Sequence, residues 1–446
     1  MGTDLPAREP LLRALVDICG PDFARTAGPS DTVAGRLASF VAAPATTAAV
    51  ADTMRLAGER GLAVIPRGSG SKLDWGTPPP GVDLLLDTGR LDGIWHHDAE
   101  AGTAEIGTGT TVRAVQAALA LRGQRLAVDP PSVTATFGGV LAVNETGPLR
   151  HRFGTAADQV VSVAYVGRDG EVATSDGENG SPGIAEIDGV LLSARVRLEP
   201  LPAVRRWVSV PVATPRDVQD LIAETLSRQV GPSAVEMDLP AGSQPTAAGH
   251  LRVVPPPGSG PSGGTAAGRL RVVPPEGSAG HLRAVPSPGS AGQPRAVPSR
   301  GSGTAARGAL AVLLEGEPAD VAQRAADLEK SLGRDATTSP VAPGWWGRYP
   351  FGPDDVALRI AVPAADLQSA VYALRDVTGM PVPVRGSAGR GIVHAVLPGT
   401  LAAERVEGIL DAVRGVLLAR GGRCVAISAP RAISTEIDMA SRQDLF

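Results

Sequence analysis

Residues 65–76 read IPRGSGSKLDWG, and they follow a predicted strand at Leu62–Ile65. Small residues at four successive positions, from Gly68 to Ser71, let the backbone close around a ligand and aim N–H groups at an anion. This pattern suits a pyrophosphate. It is not a Rossmann fingerprint, because Leu73 stands where the third glycine belongs, and it is not a P-loop, because the GK[ST] ending is missing. A Gly/Ser turn of this kind is also an ordinary loop in many proteins.

A second stretch of small residues runs from Asp129 to Thr155 and reads DPPSVTATFGGVLAVNETGPLRHRFGT. Its paired glycines, Gly138 and Gly139, suit a close backbone approach to a flat ligand. Hydroxyl and amide side chains supply neutral hydrogen-bonding groups, and basic residues near its end supply positive charge. A third stretch, GVLLSARVRLEP at Gly189–Pro200, predicts a buried strand.

Composition narrows the class of protein. The chain has 446 residues, enough for two or three domains, and its net charge of −4 gives no general electrostatic case for nucleic-acid binding. Two cysteines, Cys19 and Cys424, exclude a disulfide framework and an iron–sulfur cluster that this chain would ligate alone. The sequence lacks a long apolar run and a signal-peptide pattern, so we expect a cytoplasmic protein.

One segment differs from the rest in composition. Residues 241–307 are rich in Gly, Pro, Ser and Ala, and four related copies begin at Gly249, Gly268, Gly280 and Gly292. Each copy carries too little apolar surface to offset the cost of ordering its chain, about 1–2 kcal/mol per residue. We therefore expect a disordered, low-complexity insertion.

Strand-like and helical patterns alternate on both sides of this insertion. Before it, helices are predicted at Thr46–Arg60 and Val112–Leu121, with strands at Val82–Leu86 and Gly102–Ile106. A second α/β or α+β unit begins at Val208–Val212 and resumes at Ala309–Leu314 after the insertion. Its further predicted elements are Arg216–Gln229, Ala234–Met237, Ala319–Leu332, Val356–Val362, Ala364–Val377, Gly391–Leu397, Leu401–Leu418 and Arg423–Ile427.

In this order and spacing, the motifs PRGSGSKLDWG, DPP, ATFGG, NETGPLRHRFGT and GVLLSARVRLEP resemble the FAD-binding domain of the vanillyl-alcohol oxidase (PCMH-type) flavoprotein superfamily. The chain is most similar to the accessory FAD-binding subunit of bacterial glycolate oxidase. The resemblance covers about 37–202 and, more weakly, 356–430. It implies an α+β fold: a PCMH-type FAD-binding domain of two α+β subdomains, then a smaller α/β cap domain interrupted by the insertion.

The resemblance implies five segments in the chain. These are an N-terminal helical segment (1–35), the FAD-binding domain (36–203), the cap (204–240 and 308–430), the insertion (241–307) and a C-terminal tail (431–446). It also assigns cofactor contacts by motif. The first loop would wrap the FAD pyrophosphate, the second segment would follow the isoalloxazine and ribitol, and a backbone group would meet the adenine. The implied cofactor-binding residues are Arg67, Gly68, Ser69, Gly70, Ser71, Pro130, Pro131, Ser132, Ala135, Thr136, Gly138, Gly139, Asn144, Gly147, Thr155 and Val190.

The sequence departs from the superfamily pattern at three places. Ser71 stands where covalent members carry the histidine that attaches the flavin, so we expect non-covalent FAD. Ser175–Asp188 is shorter and more polar than the segment that relatives place beside the flavin. Ser387–His394 aligns with the metal motif HAGDGNLH but keeps only the final histidine, so we expect no metal there.

Several other residues are candidates for a role in the site. For a substrate carboxylate the candidates are Arg150, Arg152 and Arg348, and no catalytic base is assigned. His151 is either a flavin or carboxylate contact or part of a surface basic cluster. His96-His97 could suggest a metal, but we expect a solvated turn. Trp345-Trp346 suggests either an aromatic wall at the site or cap–domain packing, and Cys424 reads as a core residue.

The resemblance implies an FAD-dependent oxidoreductase that converts a 2-hydroxy acid to a 2-oxo acid. Two alternatives remain open at this stage. One is a non-catalytic FAD-binding or electron-relay subunit that works with a catalytic flavoprotein and an iron–sulfur subunit. The other is a degenerate scaffold without flavin.

Overall fold

The computed structural model describes residues 5–176, 183–241 and 308–439. The predicted insertion at 241–307 therefore lies outside the described residues except for Ala241, as do 177–182 of the shortened segment. The helices are α1 (Leu5–Cys19), α2 (Thr47–Glu59), α3 (Val112–Ala120), α4 (Phe137–Ala142), α5 (Arg150–Phe153), α6 (Pro215–Ser227), α7 (Pro318–Leu332), α8 (Leu367–Thr378), α9 (Ala403–Leu418) and α10 (Arg431–Ser434).

The strands of the N-terminal half are β1 (Ala24–Thr26), β2 (Thr32–Val33), β3 (Arg36–Leu37), β4 (Phe40–Ala42), β5 (Val64–Arg67), β6 (Leu84–Asp87), β7 (Ile94–Asp98), β8 (Thr103–Gly107), β9 (Gln124–Arg125), β10 (Val160–Gly167), β11 (Val172–Asp176), β12 (Gly189–Arg197) and β13 (Glu199–Pro200). Those of the C-terminal half are β14 (Val204–Val212), β15 (Ala234–Leu239), β16 (Gly308–Gly316), β17 (Thr337–Ser339), β18 (Asp355–Ala361), β19 (Val384–Ser387), β20 (Ile392–Pro398) and β21 (Arg423–Ser428).

Two larger sheets form the N-terminal half, with the two-stranded sheets β2-β3 and β9-β13 beside them. The first has the order β1-β4-β6-β5, with β6 parallel to both β4 and β5. The second is antiparallel, with the order β11-β10-β12-β8-β7. Thr46 caps α2 by accepting a hydrogen bond from the Ala49 amide, which explains why the helix begins where the pattern predicted. The two sheets match the α+β architecture with two subdomains that the resemblance implied.

An eight-stranded antiparallel sheet forms the C-terminal half, in the order β17-β14-β16-β15-β19-β20-β18-β21. One face is apolar and packs against α6, α7, α8 and α9 in the largest core cluster. Because successive side chains of a strand point to opposite faces of the sheet, every second side chain lies on the face away from these helices. That face includes Glu236 on β15, Arg385 on β19, His394 on β20 and Arg359 on β18.

Some local expectations are corrected. His96 and His97 lie within strand β7 and not in a turn. His97 donates from Nε2 to Gln124 Oε1 and accepts at Nδ1 from the Arg122 guanidinium. The helix predicted at Ala364–Val377 begins with a short 3-10 turn before α8. Cys424 is 1% exposed on the helix-covered side of β21, as expected for a core residue. None of the described helices is long and apolar enough to cross a membrane.

Candidate functional site

The first glycine-rich loop leaves the end of β5 beside a pair of carboxylates. The Arg67 guanidinium pairs with Asp31 at 2.9 Å and with Asp87 at 2.8 Å, so only its backbone is left to meet a ligand. A Cβ placed on Gly68 would lie 2.0 Å from Thr136 Oγ1. Gly68 therefore lets the first loop touch the second segment, where Thr136 caps α4.

Gly70 and Ser71 form the open part of this loop. Gly70 has φ +77°, a left-handed conformation that favours glycine, and a Cβ there would meet no atom closer than 3.5 Å. Ser71 is exposed, and Lys72 Nζ donates to its hydroxyl at 3.2 Å. Beside Gly70, a Cβ would thus meet only the side chains of Leu73 and Arg67, at ordinary van der Waals distances.

The glycines of the second segment divide into two kinds. A Cβ on Gly138 would lie 2.6 Å from the Thr108 side chain, and one on Gly147 would lie 1.8 Å from the Asp129 carbonyl oxygen. Both glycines therefore serve protein packing. Gly139 differs, because a Cβ there would meet only Thr136 Oγ1, at 3.2 Å. Gly139 presents an open backbone surface, as Gly70 does.

Two predicted contact residues use their side chains to hold local turns. Asn144 has φ +46°, and its side-chain oxygen accepts from the Ala157 amide at 3.3 Å. The Thr155 hydroxyl donates to Asp158 at 2.9 Å. Ala135 is buried in the FAD-domain core. These residues shape the second segment around the site.

A cavity of about 680 Å³ lies beside the predicted adenine contact. Val190 on β12 lines it together with Ile65 and Pro66 of β5 and backbone at Gly58 and Gly61. Its walls are mainly apolar, and a flat heteroaromatic ring fits such a surface. The cavity is therefore suited to one end of a dinucleotide.

A second cavity, of about 330 Å³, lies at the seam between the N-terminal half and the eight-stranded sheet. The first loop contributes Trp75 and Gly76, and the second segment contributes Val143 to Thr146. The sheet contributes Arg359, Ile392, His394 and Val425 to Ile427, while Tyr349 reaches in from the connection between β17 and β18. We call this space the seam cavity.

Strand register aligns the polar side chains next to the two cavities; of these, Arg359 and His394 line the seam cavity. Asp238 pairs with Arg385 across β15 and β19, Arg385 with His394 across β19 and β20, and His394 with Arg359 across β20 and β18. Directly opposed residues share a face, so these four side chains form one row that faces the FAD-binding half. Asp238 also pairs ionically with Arg385 at 2.8 Å.

A small polar cavity of about 30 Å³ adjoins the seam cavity, and both are lined by Thr146, Tyr349, Ile392 and His394. Its further polar lining comes from Arg150, Glu236, Arg348, Arg385 and Ser387. We call it the arginine pocket. The pocket has room for one water-sized group, and its polar lining includes several arginines. These two features suit an anionic oxygen atom.

Several positively charged side chains lie near the seam cavity and the arginine pocket. Burial lowers the pKa of Arg150 to about 10, and the nearby guanidinium groups of Arg359 and Arg390 act in the same direction. Burial lowers the pKa of His394 to about 3, with Arg359 and Arg150 again contributing. His394 is therefore neutral at physiological pH, and an anion bound here would relieve repulsion among the cations.

A buried network joins the first loop, the second segment and the cap. Lys72 Nζ lies 2.6 Å from Glu145 Oε2, and the side chains are 6% and 0% exposed. Glu145 Oε1 accepts from the Ser132 hydroxyl at 2.7 Å and from the Tyr349 hydroxyl at 2.8 Å. The network fixes three walls of the seam cavity relative to one another.

The site brings together some of the sequence candidates and separates others. Arg150 and Arg348 line the arginine pocket, whereas Arg152 is exposed and contacts the Phe153 ring. His151 lies against the cap, and its carbonyl accepts from Arg390. Trp346 packs with Trp207 in an apolar cluster between the halves, while Trp345 lines the arginine pocket.

Other site residues escaped sequence reasoning. Lys72 lies in the first loop and Glu145 in the second segment. Their pairing could not be predicted from the sequence, because it depends on the contact between the two segments in the fold. Arg359, Arg385 and Glu236 lie on separate strands with no local signal beyond their polarity in apolar runs. In the described ranges, no cluster of three or more His, Cys, Asp or Glu residues could hold a metal ion, and His394 stands without such neighbours.

The open backbone at Gly70 and Gly139, together with the apolar cavity at Val190, fits an extended dinucleotide such as FAD. Comparison with known proteins agrees: residues 38–176 match the family of FAD binding domains. The chain is 26% identical over 207 residues to a D-lactate dehydrogenase of Archaeoglobus fulgidus, covering 44% of this chain and 46% of that protein. It is 25% identical over 219 residues to glycolate oxidase subunit GlcD of Bacillus subtilis, covering 46% of each. The chain thus spans about half the length of the curated relatives it matches.

Solved structures show the same fold at lower identity. Alkyldihydroxyacetonephosphate synthase superposes with a TM-score of 0.64 at 14% identity, covering 94% of this chain and 80% of that one. p-Cresol methylhydroxylase with substrate bound superposes with a TM-score of 0.63 at 12% identity, covering 97% and 91%. Residues 38–176 therefore carry an FAD binding domain, and the chain is an FAD-binding protein. The fold it shares with these solved structures agrees with the resemblance of its motifs to the vanillyl-alcohol oxidase (PCMH-type) superfamily.

Proposed function

We propose that the chain oxidises a small 2-hydroxy acid to a 2-oxo acid, as an FAD-dependent oxidoreductase of the glycolate oxidase type. The observation that supports an acid substrate is the placement of Arg359 in the seam cavity, next to the arginine pocket that Arg150, Arg348 and Arg385 line. Repulsion among partly buried cations favours binding of an anion that neutralises them. The hydroxy-acid chemistry named for the D-lactate dehydrogenase and glycolate oxidase relatives supports the same substrate class.

FAD would lie between the two glycine-rich segments. The pyrophosphate would rest on the backbone of Gly70, Ser71 and Gly139, and the adenine would enter the cavity beside Val190. The chemistry that bound FAD supplies is acceptance of a hydride. Because Ser71 cannot form the covalent linkage, acid precipitation should release all the flavin, and the intact mass should equal that of the polypeptide.

The seam cavity can position the substrate for this chemistry. Arg359 and Arg150 would hold the carboxylate by charge-assisted hydrogen bonds. His394 is neutral and lines both cavities, so its imidazole is placed to accept the proton of the substrate hydroxyl. A bound carboxylate beside Arg359 would raise the pKa of His394 and make it a better base.

A second function, an electron-relay subunit with catalytic flavoprotein and iron–sulfur partners, is favoured by one observation: the Bacillus subtilis relative is a subunit by name. The absorption spectrum of the purified chain, before and after FAD is added, tests flavin binding. Dye reduction by glycolate or D-lactate with the chain alone then separates an enzyme from a relay subunit.

The acid site is tested by Arg150→Gln against its neighbour Arg152→Gln. The half-buried side chain of Arg150 lines the arginine pocket, whereas Arg152 is exposed, so only the first change removes a cation from the site. We expect Arg150→Gln to raise KM, or the Kd of an unreactive acid, about tenfold or more, since charged hydrogen bonds contribute about 1.5–3 kcal/mol. Equal effects from both variants would refute the placement of the acid.

A further inference from the structure

The carboxyl group of Glu236 is buried at the arginine pocket. Glu236 is 5% exposed on β15, directly opposite Ser387 on β19, and it lines the pocket with Arg150 and Arg385. Its Oε1 atom is buried and makes no hydrogen bond of ordinary geometry among the described residues, although the Ser387 side chain lies close enough to interact with the carboxyl group. A buried carboxyl oxygen without a partner is costly, so a ligand that pairs with it gains affinity.

The surroundings of Glu236 disfavour its charged form. Burial, together with the nearby carboxyl group of Asp129, raises the pKa of Glu236 to about 8, while Ser387 and Arg150 act in the opposite direction. The other charged or titratable groups that line the pocket are Arg348, Arg385, Tyr349 and His394. A protonated carboxyl group donates one hydrogen bond, which a carboxylate cannot do.

We infer that Glu236 is a neutral acid that donates a hydrogen bond from its carboxyl group to the carboxylate of an anionic ligand in the arginine pocket. The arginines then supply the positive charge, and Glu236 supplies a donor that adds no charge of its own. This inference deepens the proposed function, on which it rests, by adding a specificity-determining residue. It concerns ligand binding only and requires no oxidation step.

Asp129 is the other buried carboxyl group in this neighbourhood, and burial also raises its pKa to about 8. Its oxygens accept from the Leu149 amide at 3.1 and 3.2 Å, and it does not line the arginine pocket. Asp129 therefore holds the second segment in shape, whereas Glu236 faces the ligand. An Asp129→Asn variant separates the two titrations.

The inference predicts that acid binding is linked to a proton on Glu236. Oxalate, an unreactive dicarboxylate, is titrated into the FAD-loaded protein by calorimetry between pH 6 and 10, in buffers that differ in ionisation enthalpy. We expect nearly constant affinity below about pH 8, then a fall of about tenfold per pH unit, with uptake of up to one proton. Glu236→Gln should bind oxalate at pH 6 within about threefold of the parent while losing proton uptake, because its amide N–H can replace the donor.

The controls separate this inference from the proposed function. Glu404→Gln, on the exposed side of α9, should keep the proton uptake of the parent at every pH. Asp129→Asn should still take up a proton, but the fall in affinity should begin at a lower pH, because the Asp129 carboxyl group no longer raises the pKa of Glu236. Oxalate binding with the same pH dependence in the parent and in Glu236→Gln would overturn the role of Glu236 and leave the acid site intact. No oxalate binding by the parent at any pH would overturn both.

Discussion

Two regions of the site differ in the groups that they present to a ligand. One is the glycine-rich cradle, formed by Gly68–Ser71 and Gly138–Gly139, and the other is the polar face of the eight-stranded sheet, which we call the cap face. The cradle presents backbone at Gly70 and Gly139, each of which lies within one short contiguous motif. The cap face presents charged side chains, and its row Arg385–His394–Arg359 comes from three strands that only register aligns. A cradle made of backbone suits an invariant cofactor, whereas a row of side chains can be changed to suit a substrate.

The first prediction concerns the ion pair that joins the FAD-binding half to the eight-stranded sheet. Glu315 of β16 binds Arg125 of the FAD-binding half through both carboxylate oxygens, at 2.6 and 2.9 Å, and also accepts from Arg205. Glu315→Gln leaves a buried guanidinium without its counter-charge. We expect a loss of about 3–5 kcal/mol in the free energy of unfolding, measured by denaturant titration.

The pH dependence of this loss follows from the pKa of Glu315. Burial alone would raise it, but the hydrogen bonds and charge of Arg125 lower it below its usual value. A lowered pKa in the folded state stabilises the protein above the ordinary carboxyl pKa, and this contribution disappears as pH falls through the folded value. The gap between parent and variant should therefore narrow below about pH 4. As a control, Asp220→Asn breaks an exposed pair with Arg216 and should change stability by less than about 0.5 kcal/mol.

The second prediction concerns glycines inside the cradle that serve packing. Gly147→Ala would place a Cβ 1.8 Å from the Asp129 carbonyl, so the second segment must move. We expect a loss of about 3 kcal/mol in unfolding free energy, with weaker FAD binding as a consequence. Gly408→Ala on α9, where a Cβ meets nothing within 4 Å, should be neutral or slightly stabilising. Equal stability of the two variants would contradict the packing role of Gly147.

The cradle could be predicted from the sequence because each of its two motifs is contiguous. The resemblance assigned Gly68 to Ser71 and Gly138 and Gly139 to one cofactor, and the structure brings Gly68 against Thr136. The charged row could not be predicted, because the pairing of Arg359 with His394 depends on the register of strands that lie far apart in sequence. Arg150 and Arg152 belong to the same basic cluster in the sequence. Only their burial in the structure shows that Arg150, and not Arg152, lines the arginine pocket. His96 and His97 were misplaced because a polar pair of histidines carries no strand signal of its own.

The smallest expected effect on stability, at Gly139, tests the cradle most directly. Gly139 lies in α4, and a Cβ there meets only Thr136 Oγ1 at 3.2 Å, so Gly139→Ala combines a slight contact with a gain in helix propensity. We expect the unfolding free energy of the protein without FAD to change by less than about 0.5 kcal/mol. The methyl group would nevertheless occupy the surface on which we place the pyrophosphate, and the Kd for FAD, from fluorescence titration, should rise about tenfold or more. Gly415→Ala on α9, also open to solvent, should leave the FAD affinity unchanged. If Gly139→Ala binds FAD as tightly as Gly415→Ala does, the pyrophosphate does not lie against α4, and the cradle must be assigned to the first loop alone.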